Sequence, residues 1–338
     1  MCRPDHYDVE YEINPWMKGN IHRPSVEKAR EEWKVFHDLL ADHADVQVMP
    51  QPEGVPDMVF AANGGFILNN NCVVSNFRYP ERQGEEKHYE QWFRENGFNV
   101  FRLPEGIAFE GAGDALVDQK RDIVWAAYGF RTNYEAHPLI AALINHPLHS
   151  LRLVDPRFYH LDTCFSVFST GHVMYYPAAF DRASQQLIET TVEKKYRIPV
   201  DSVDALQLCC NCVEADGKLF LSDCSEALHK QINATGLELH RTHLTQFHMA
   251  GGSNRCLVLK LDDEIKEAAS EVSAQEENQE TIKIHGHLID HQIMSRVCNI
   301  ITAHGGSFQI KHVKIGTLEQ DPSDAIIVVS APRKSKLR

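Results

Sequence analysis

Short apolar runs of strand type, each only a few residues long, alternate with amphipathic helical stretches along most of this 338-residue chain, and that cadence restricts the fold more than any other feature. Strand-like runs lie at Val46 to Met49, Met58 to Phe60, Cys72 to Ser75, Asn99 to Leu103, Ile123 to Ala127, Thr163 to Phe168 and His172 to Tyr176. Between them, helical patterns occupy 25–43, Glu85 to Asn96, Glu135 to Asn145 and Ser184 to Val192. The first is the clearest: Ser25 can cap it, and Val26, Ala29, Trp33, Phe36 and Leu40 recur at helical spacing. Hairpin-length loops around Gly171 and Gly217 favour small antiparallel sheets over one doubly wound parallel sheet. The fold class is mixed α/β.

A hydrophobic content of 43% is enough for a large core. No stretch reaches the roughly 20 apolar residues of a membrane span, and the first residues lack the apolar run of a signal peptide, so a cytoplasmic enzyme is expected. Ser335-Lys336-Leu337 resembles a peroxisomal address, but Arg338 follows it. A formal charge of −13 without clustered lysine or arginine argues against a nucleic-acid partner and fits a small polar substrate. Nine cysteines in a chain of this kind are best read as free thiols. After Leu261 the composition changes: Asp262 to Thr281 is rich in Glu, Ala, Ser and Gln. The expected division is 1–262, an acidic linker or helix at 263–282, and a small α/β extension at 283–338, through which a homo-oligomer could form.

Four short stretches carry residues able to do chemistry. In Ala250-Gly251-Gly252-Ser253-Asn254-Arg255-Cys256-Leu257, two glycines place Cys256 just ahead of an apolar run, where a thiol can be reached and activated. His160 and Asp162, two apart in a strand-like segment, can face one ligand together as an oriented acid/base pair. Glu110 and Asp114 flank a small-residue turn and suit a guanidinium, which offers donors and no acceptor. Asn63 stands at the mouth of an Asn-Gly turn. Each stretch alone also has a plain structural reading, as a strand cysteine, a surface pair, an acidic turn or an ordinary hairpin. Two groups tempt a zinc reading: Cys209-Cys210-x-Cys212, whose thiols a strand would split between faces, and His287 with His291 at helical spacing. Neither has a convincing remaining ligand set, and the expectation is no metal and no cofactor.

Taken together and in this order, the four stretches resemble the guanidine-modifying enzymes, which include arginine deiminases, dimethylarginine hydrolases and glycine amidinotransferases. The resemblance covers Met1 to about Leu261 and is strongest to the arginine dihydrolase branch, through Cys2-x-Pro4-Asp5-His6, Ile13-Asn14-Pro15-Trp16-Met17, Glu81-Arg82-Gln83-Gly84-Glu85, Tyr128-Gly129-Phe130-Arg131 and Tyr159-His160-Leu161-Asp162-Thr163-Cys164. Gly286-His287-Leu288-Ile289-Asp290-His291 and Gly305-Gly306 resemble part of the domain named for lysine-oxoglutarate reductase and saccharopine dehydrogenase; in longer relatives an ornithine cyclodeaminase unit follows.

The resemblance implies a five-bladed α/β-propeller of ββαβ units around a central pocket for free L-arginine. It further implies that the Cys256 thiolate attacks the guanidinium carbon, that His160 serves in turn as acid and base, and that Glu110 and Asp162 hold guanidinium nitrogens. Asn14, Arg82 and Arg131 would face the amino acid end, with Asp114 beside them. Asn63 bears on the product. Arginine deiminases resemble one another in placing aspartate there, whereas asparagine can also hold the neutral ureido group of citrulline for a second hydrolysis to ornithine. The expected activity is arginine dihydrolase; the alternatives are a deiminase stopping at citrulline, a non-catalytic arginine-binding regulator and, more remotely, an amidinotransferase.

Overall fold

The computed structural model describes residues 1–144, 146–265, 278–286, 297, 307–314 and 323–331. The chain divides into two compact units, Met1–Ile265 and Lys266–Arg338.

Unit one repeats one small motif. β1 (Gly65–Leu68) and β2 (Asn71–Val74) pair antiparallel, and β3 (Asn99–Phe101) joins β2 in parallel after the helix Glu86–Glu95. The same antiparallel pair, helix and parallel third strand recur three times more. They are β4 (Ala115–Asp118), β5 (Ile123–Tyr128) and β6 (Leu148–Arg152) around helix Ala136–Ile144; β7 (Phe165–Val167), β8 (Val173–Tyr175) and β9 (Arg197–Pro199) around Arg182–Thr191; and β10 (Val213–Ala215), β11 (Lys218–Leu221) and β12 (Glu238–Arg241) around Glu226–Asn233. The local chemistry explains the repeat. Asn69 and Asn70 (φ 49° and 64°) and Asp216 and Gly217 (φ 48° and 71°) sit in the left-handed region, as a two-residue hairpin turn requires. A parallel third strand cannot be reached by a hairpin, so a helix makes each crossover. Asp181 and Ser225 cap two of these helices by accepting from Ser184 N and Leu228 N.

The N-terminal helix Val26–Ala41 is capped by Ser25 and buries Ala29, Trp33, Phe36 and Leu40, as its spacing predicts. Its apolar face joins a core with Tyr7, Phe60, Phe220, Phe247 and Cys256. Full burial of each large side chain there contributes about 1.5–3 kcal/mol. A lone parallel bridge, Cys2 to Met49, spans this helix.

Several strand expectations shift. Met58 to Phe60 belongs largely to a single 3₁₀ turn, Pro56–Val59, because Pro56 fixes its first position. Val46 to Met49 pairs only at Met49. The run after Cys256 is not a paired strand; residues 254–257 form a turn closed by Leu257 N on Ser253 O (3.3 Å) and Asn254 O (3.2 Å). In unit two, β13 (Asn278–Gly286), β14 (Ser307–Lys314) and β15 (Ser323–Ala331) form an antiparallel sheet in the order β13-β15-β14. β13 starts inside the stretch read as linker, since Gln279, Glu280 and Lys283 gave no apolar run to mark a strand.

His137, on the helix Ala136–Ile144, is buried with Nδ1 on Ser150 Oγ (2.8 Å) and Nε2 on Ala127 O (3.1 Å), and burial pushes its pKa down to about 4. Its folded pKa lies below the unfolded value, so its contribution to stability is present above about pH 6.5 and is lost as pH falls towards 4. The expected loss is up to about 3 kcal/mol. Denaturant unfolding of wild-type and His137→Gln protein across that window measures it; parallel pH dependences in the two would contradict it.

Candidate active site

The chemistry sits on the short turns that lead into the strand pairs. Asn63 lies in the 3₁₀ turn Ala61–Gly64 before β1. Glu110 precedes and Asp114 follows the turn Gly111–Gly113 before β4. His160 precedes, and Asp162 lies within, the turn Leu161–Thr163 before β7. Asn211 ends a turn ahead of β10, and Cys256 occupies the turn at 254–257. His160 and Asp162 therefore meet at a turn rather than along a strand face. All of these side chains are buried.

Three contacts define the centre. The Cys256 Sγ–H donates to Asp162 Oδ2 (3.3 Å), His160 Nε2 contacts Glu110 Oε2 (2.7 Å), and Arg131 donates to the same Glu110 oxygen (3.0 Å). Arg131 is itself held between the rings of Tyr79 and Tyr159, each 4.7 Å away. Burial works to raise the Glu110 carboxyl, but Arg131 and then His160 outweigh it and hold Glu110 well below the usual carboxylate range. Burial also pushes His160 down to about 4, against the pull of Glu110, so the imidazole is neutral near pH 7. A carboxylate only accepts, which assigns the proton to Nε2 and leaves Nδ1 as the basic lone pair. Burial raises Asp162 to about 7, with Arg255 opposing, and burial together with Asp162 raises the Cys256 thiol well above its ordinary value. Without a ligand the Cys256 side chain is a thiol.

Arg82 and Asn63 form a second cluster. Arg82 spans both oxygens of Glu85 (2.7 and 2.8 Å), donates to Asp57 O (3.2 Å) and donates to Asn63 Oδ1 (2.9 Å). The Asn63 acceptor is thereby occupied and its Nδ2 is left buried without a partner. Asp162 Oδ1 and Asp57 Oδ1 are likewise buried without a partner. Such atoms cost about 1–3 kcal/mol each, and unpartnered polar atoms on these site residues mark a place for a polar ligand. Space is tight: a Cβ on Gly113 would lie 2.3 Å from Asn63 Nδ2 and 3.3 Å from the His160 ring, so only glycine lets these groups approach.

The turns thus bring Cys256, His160, Glu110, Asp162, Asn63 and Arg131 together. Three expected ligand residues are committed elsewhere. Asp114 accepts from Thr132 Oγ1 (2.7 Å) and Leu161 N (3.0 Å), fastening the His160 turn with both oxygens. Asn14 Oδ1 accepts from Trp16 N (2.9 Å) and Met17 N (3.2 Å), while its Nδ2 donates to Ala250 O (3.0 Å). Arg82 orients Asn63, as described. Sequence reasoning missed Asp57, which lacked a distinguishing neighbour, and Asn211, hidden among cysteines. The thiols of Cys209, Cys210 and Cys212 are buried in the core, and no group of three metal-type ligands converges among the described residues. His287 and His291 lie outside the described residues. No helix among those residues is long and apolar enough to cross a membrane.

The profile of the family described as N,N dimethylarginine dimethylhydrolase, eukaryotic, matches residues 12–262, and that of the LOR/SDH bifunctional enzyme conserved region matches residues 279–338. The bifunctional arginine dihydrolase/ornithine cyclodeaminase of Nostoc sp. is 42% identical over 332 residues, which cover 98% of this chain and 47% of that protein. The N(G),N(G)-dimethylarginine dimethylaminohydrolase of Mycobacterium tuberculosis is 37% identical over 264 residues, 77% of this chain and 84% of that one. Among solved structures, the N-terminal domain of a cyanobacterial arginine dihydrolase, a cysteine-to-serine mutant bound to substrate, is similar with a TM-score of 0.78 at 46% identity, covering 78% of this chain and 98% of that chain. The chain spans about half the length of the bifunctional relatives it matches. The chain therefore belongs to the dimethylarginine dimethylhydrolase family, and within it to the branch that contains the arginine dihydrolases.

Proposed function

We propose that this chain hydrolyses free L-arginine to ornithine, carbon dioxide and two molecules of ammonia, with Cys256 as nucleophile. The observation that carries the choice of product is the orientation of Asn63. Its oxygen is taken by Arg82, so the amide offers the site donors only. A guanidinium has nothing to accept them, whereas the ureido oxygen of citrulline does. Citrulline formed in the first half-reaction is therefore retained as a second substrate.

Arginine enters as a cation and meets Glu110 and the unpartnered Asp162 oxygen, with its amino acid end towards Arg131 and the unpartnered carboxylate oxygen of Asp57. That positive charge beside Sγ favours the thiolate. The thiol proton is passed on to His160, whose imidazolium Glu110 stabilises. Sulfur attacks the guanidinium carbon, and the C–N bond breaks as His160 protonates the departing ammonia. Neutral His160 next takes a proton from water, which attacks the same carbon, and the C–S bond breaks to give citrulline. Repeating the cycle on citrulline expels a second ammonia and leaves a thiocarbamate. Hydrolysis of that species yields a carbamate, which collapses to carbon dioxide and ornithine.

The same reading places the site at the centre of a five-bladed α/β-propeller. Four repeats are continuous in sequence, and the fifth would be split between the chain segments at each end of unit one. Its support is the Cys2–Met49 parallel bridge across the first helix, with Leu259 and Leu261 packed beside Met49 against the same core cluster.

Supplying citrulline as the sole substrate tests the product assignment. Wild-type protein is expected to release ammonia and ornithine from it. Asn63→Asp, which removes the donors, is expected to accumulate citrulline from arginine, with its rate on citrulline down about 100-fold or more. An unchanged product ratio in the variant would remove Asn63 from the account.

A further inference from the structure

Asn211 makes more contacts with the nucleophile's turn than any residue assigned so far. It is fully buried, and its Oδ1 accepts from Ser253 N and Cys256 N, both at 3.1 Å. Its Nδ2 donates to Cys256 Sγ (3.1 Å) and to Asp162 O (3.0 Å), and its backbone oxygen accepts from Arg255 N (3.2 Å). The amide orientation is forced. Two backbone N–H groups can only donate, so the atom facing them must be the oxygen, and the NH₂ must face sulfur.

We propose that Asn211 is a catalytic residue of the thiol step: its oxygen clamps the Cys256 turn while its N–H₂ donates to sulfur and stabilises the thiolate. A hydrogen bond to sulfur is stronger when sulfur is charged, so this donor favours the attacking form. It counters the groups that oppose that form. Asp162 faces the sulfur and repels a thiolate, and burial itself disfavours the charge. Arg255, next in sequence, offsets Asp162, and His160 stands on the same turn as Asp162. Asn211 is an uncharged group that favours thiolate without competing with the substrate's cation for the carboxylates. It also links the β7 and β10 turns to the nucleophile, so three of the converging turns are tied through one side chain.

The proposal rests on Cys256 as nucleophile, but its test needs no arginine. The full chain is alkylated with iodoacetamide over a range of pH, and modification of the Cys256 peptide is followed by mass spectrometry. Asn211→Ala removes the donor to sulfur without adding a charge beside it. The midpoint of its Cys256 profile is expected to rise by about one to two pH units, with the rate near neutral pH down about 10- to 100-fold. If that variant does not fold, Asn211→Ser, too short to reach amides and sulfur together, is expected to move the midpoint in the same direction. A purely structural role would change the rate equally at every pH. A folded variant with an unshifted midpoint overturns the proposal, and a shifted midpoint in a protein inactive on arginine would overturn only the substrate assignment.

Discussion

Glu110→Gln is expected to abolish arginine turnover and to destabilise the protein by about 3–5 kcal/mol, because it leaves Arg131 buried with no countercharge. Glu110 is fully buried and accepts from both Arg131 (3.0 Å) and His160 (2.7 Å). Arg131 keeps one donor on Ile13 O (3.0 Å), but a carbonyl does not neutralise a guanidinium. A second substitution separates the two effects. In Glu110→Gln/Arg131→Met the stranded charge is gone, so most of the lost stability should return while activity does not. Urea unfolding of the two variants, alongside ammonia release, makes the comparison. A stable, active Glu110→Gln protein would mean that the carboxylate is neither the partner of Arg131 nor the group that steadies His160.

His160→Asn is expected to slow turnover of arginine by about 10²–10⁴-fold, the range typical of losing a general acid/base. The resting imidazole is neutral, with its pKa near 4, and donates Nε2–H to Glu110. It becomes cationic only when it takes up a proton during attack, at which point Glu110 stabilises it. Asparagine keeps a donor for Glu110 but cannot carry a proton between sulfur, ammonia and water. Binding of arginine should therefore change little while the rate of the chemical step collapses, and the pH dependence assigned to the imidazole should vanish from the residual rate. A loss of affinity with an unchanged maximal rate would place His160 among groups that only hold substrate.

How much of this was legible from residues alone depended on local chemistry. The alternation of hairpin and crossover helix could be read because Gly217 and helix patterns such as Ala29-Trp33-Phe36-Leu40 are local signals. The turns that present Asn63, Glu110, His160 and Cys256 could not, since a three- or four-residue 3₁₀ turn has no periodicity to detect. The residues that converge at the site, Cys256, His160, Glu110, Asp162 and Asn63, were nonetheless singled out, because their types and their order along the chain resembled a family. Asn211 was passed over because Cys209, Cys210 and Cys212 beside it invited a metal reading. Its importance comes from partners 42 to 49 residues away, Ser253, Cys256 and Asp162, which no window of sequence brings together. The commitments of Asp114 and Arg82 were invisible for the same reason: composition gives their charge, and only the fold shows that Thr132, Leu161, Glu85 and Asn63 have used it.

The most direct test of the central claim is to count ammonia released per arginine consumed by the purified chain, identifying the carbon product by mass spectrometry, with Cys256→Ala as control. Two ammonia and ornithine are expected, both absent from the control. One ammonia with accumulating citrulline would contradict the assignment of Asn63 as a ureido-binding donor, and arginine binding without any ammonia release would contradict catalysis by Cys256 altogether.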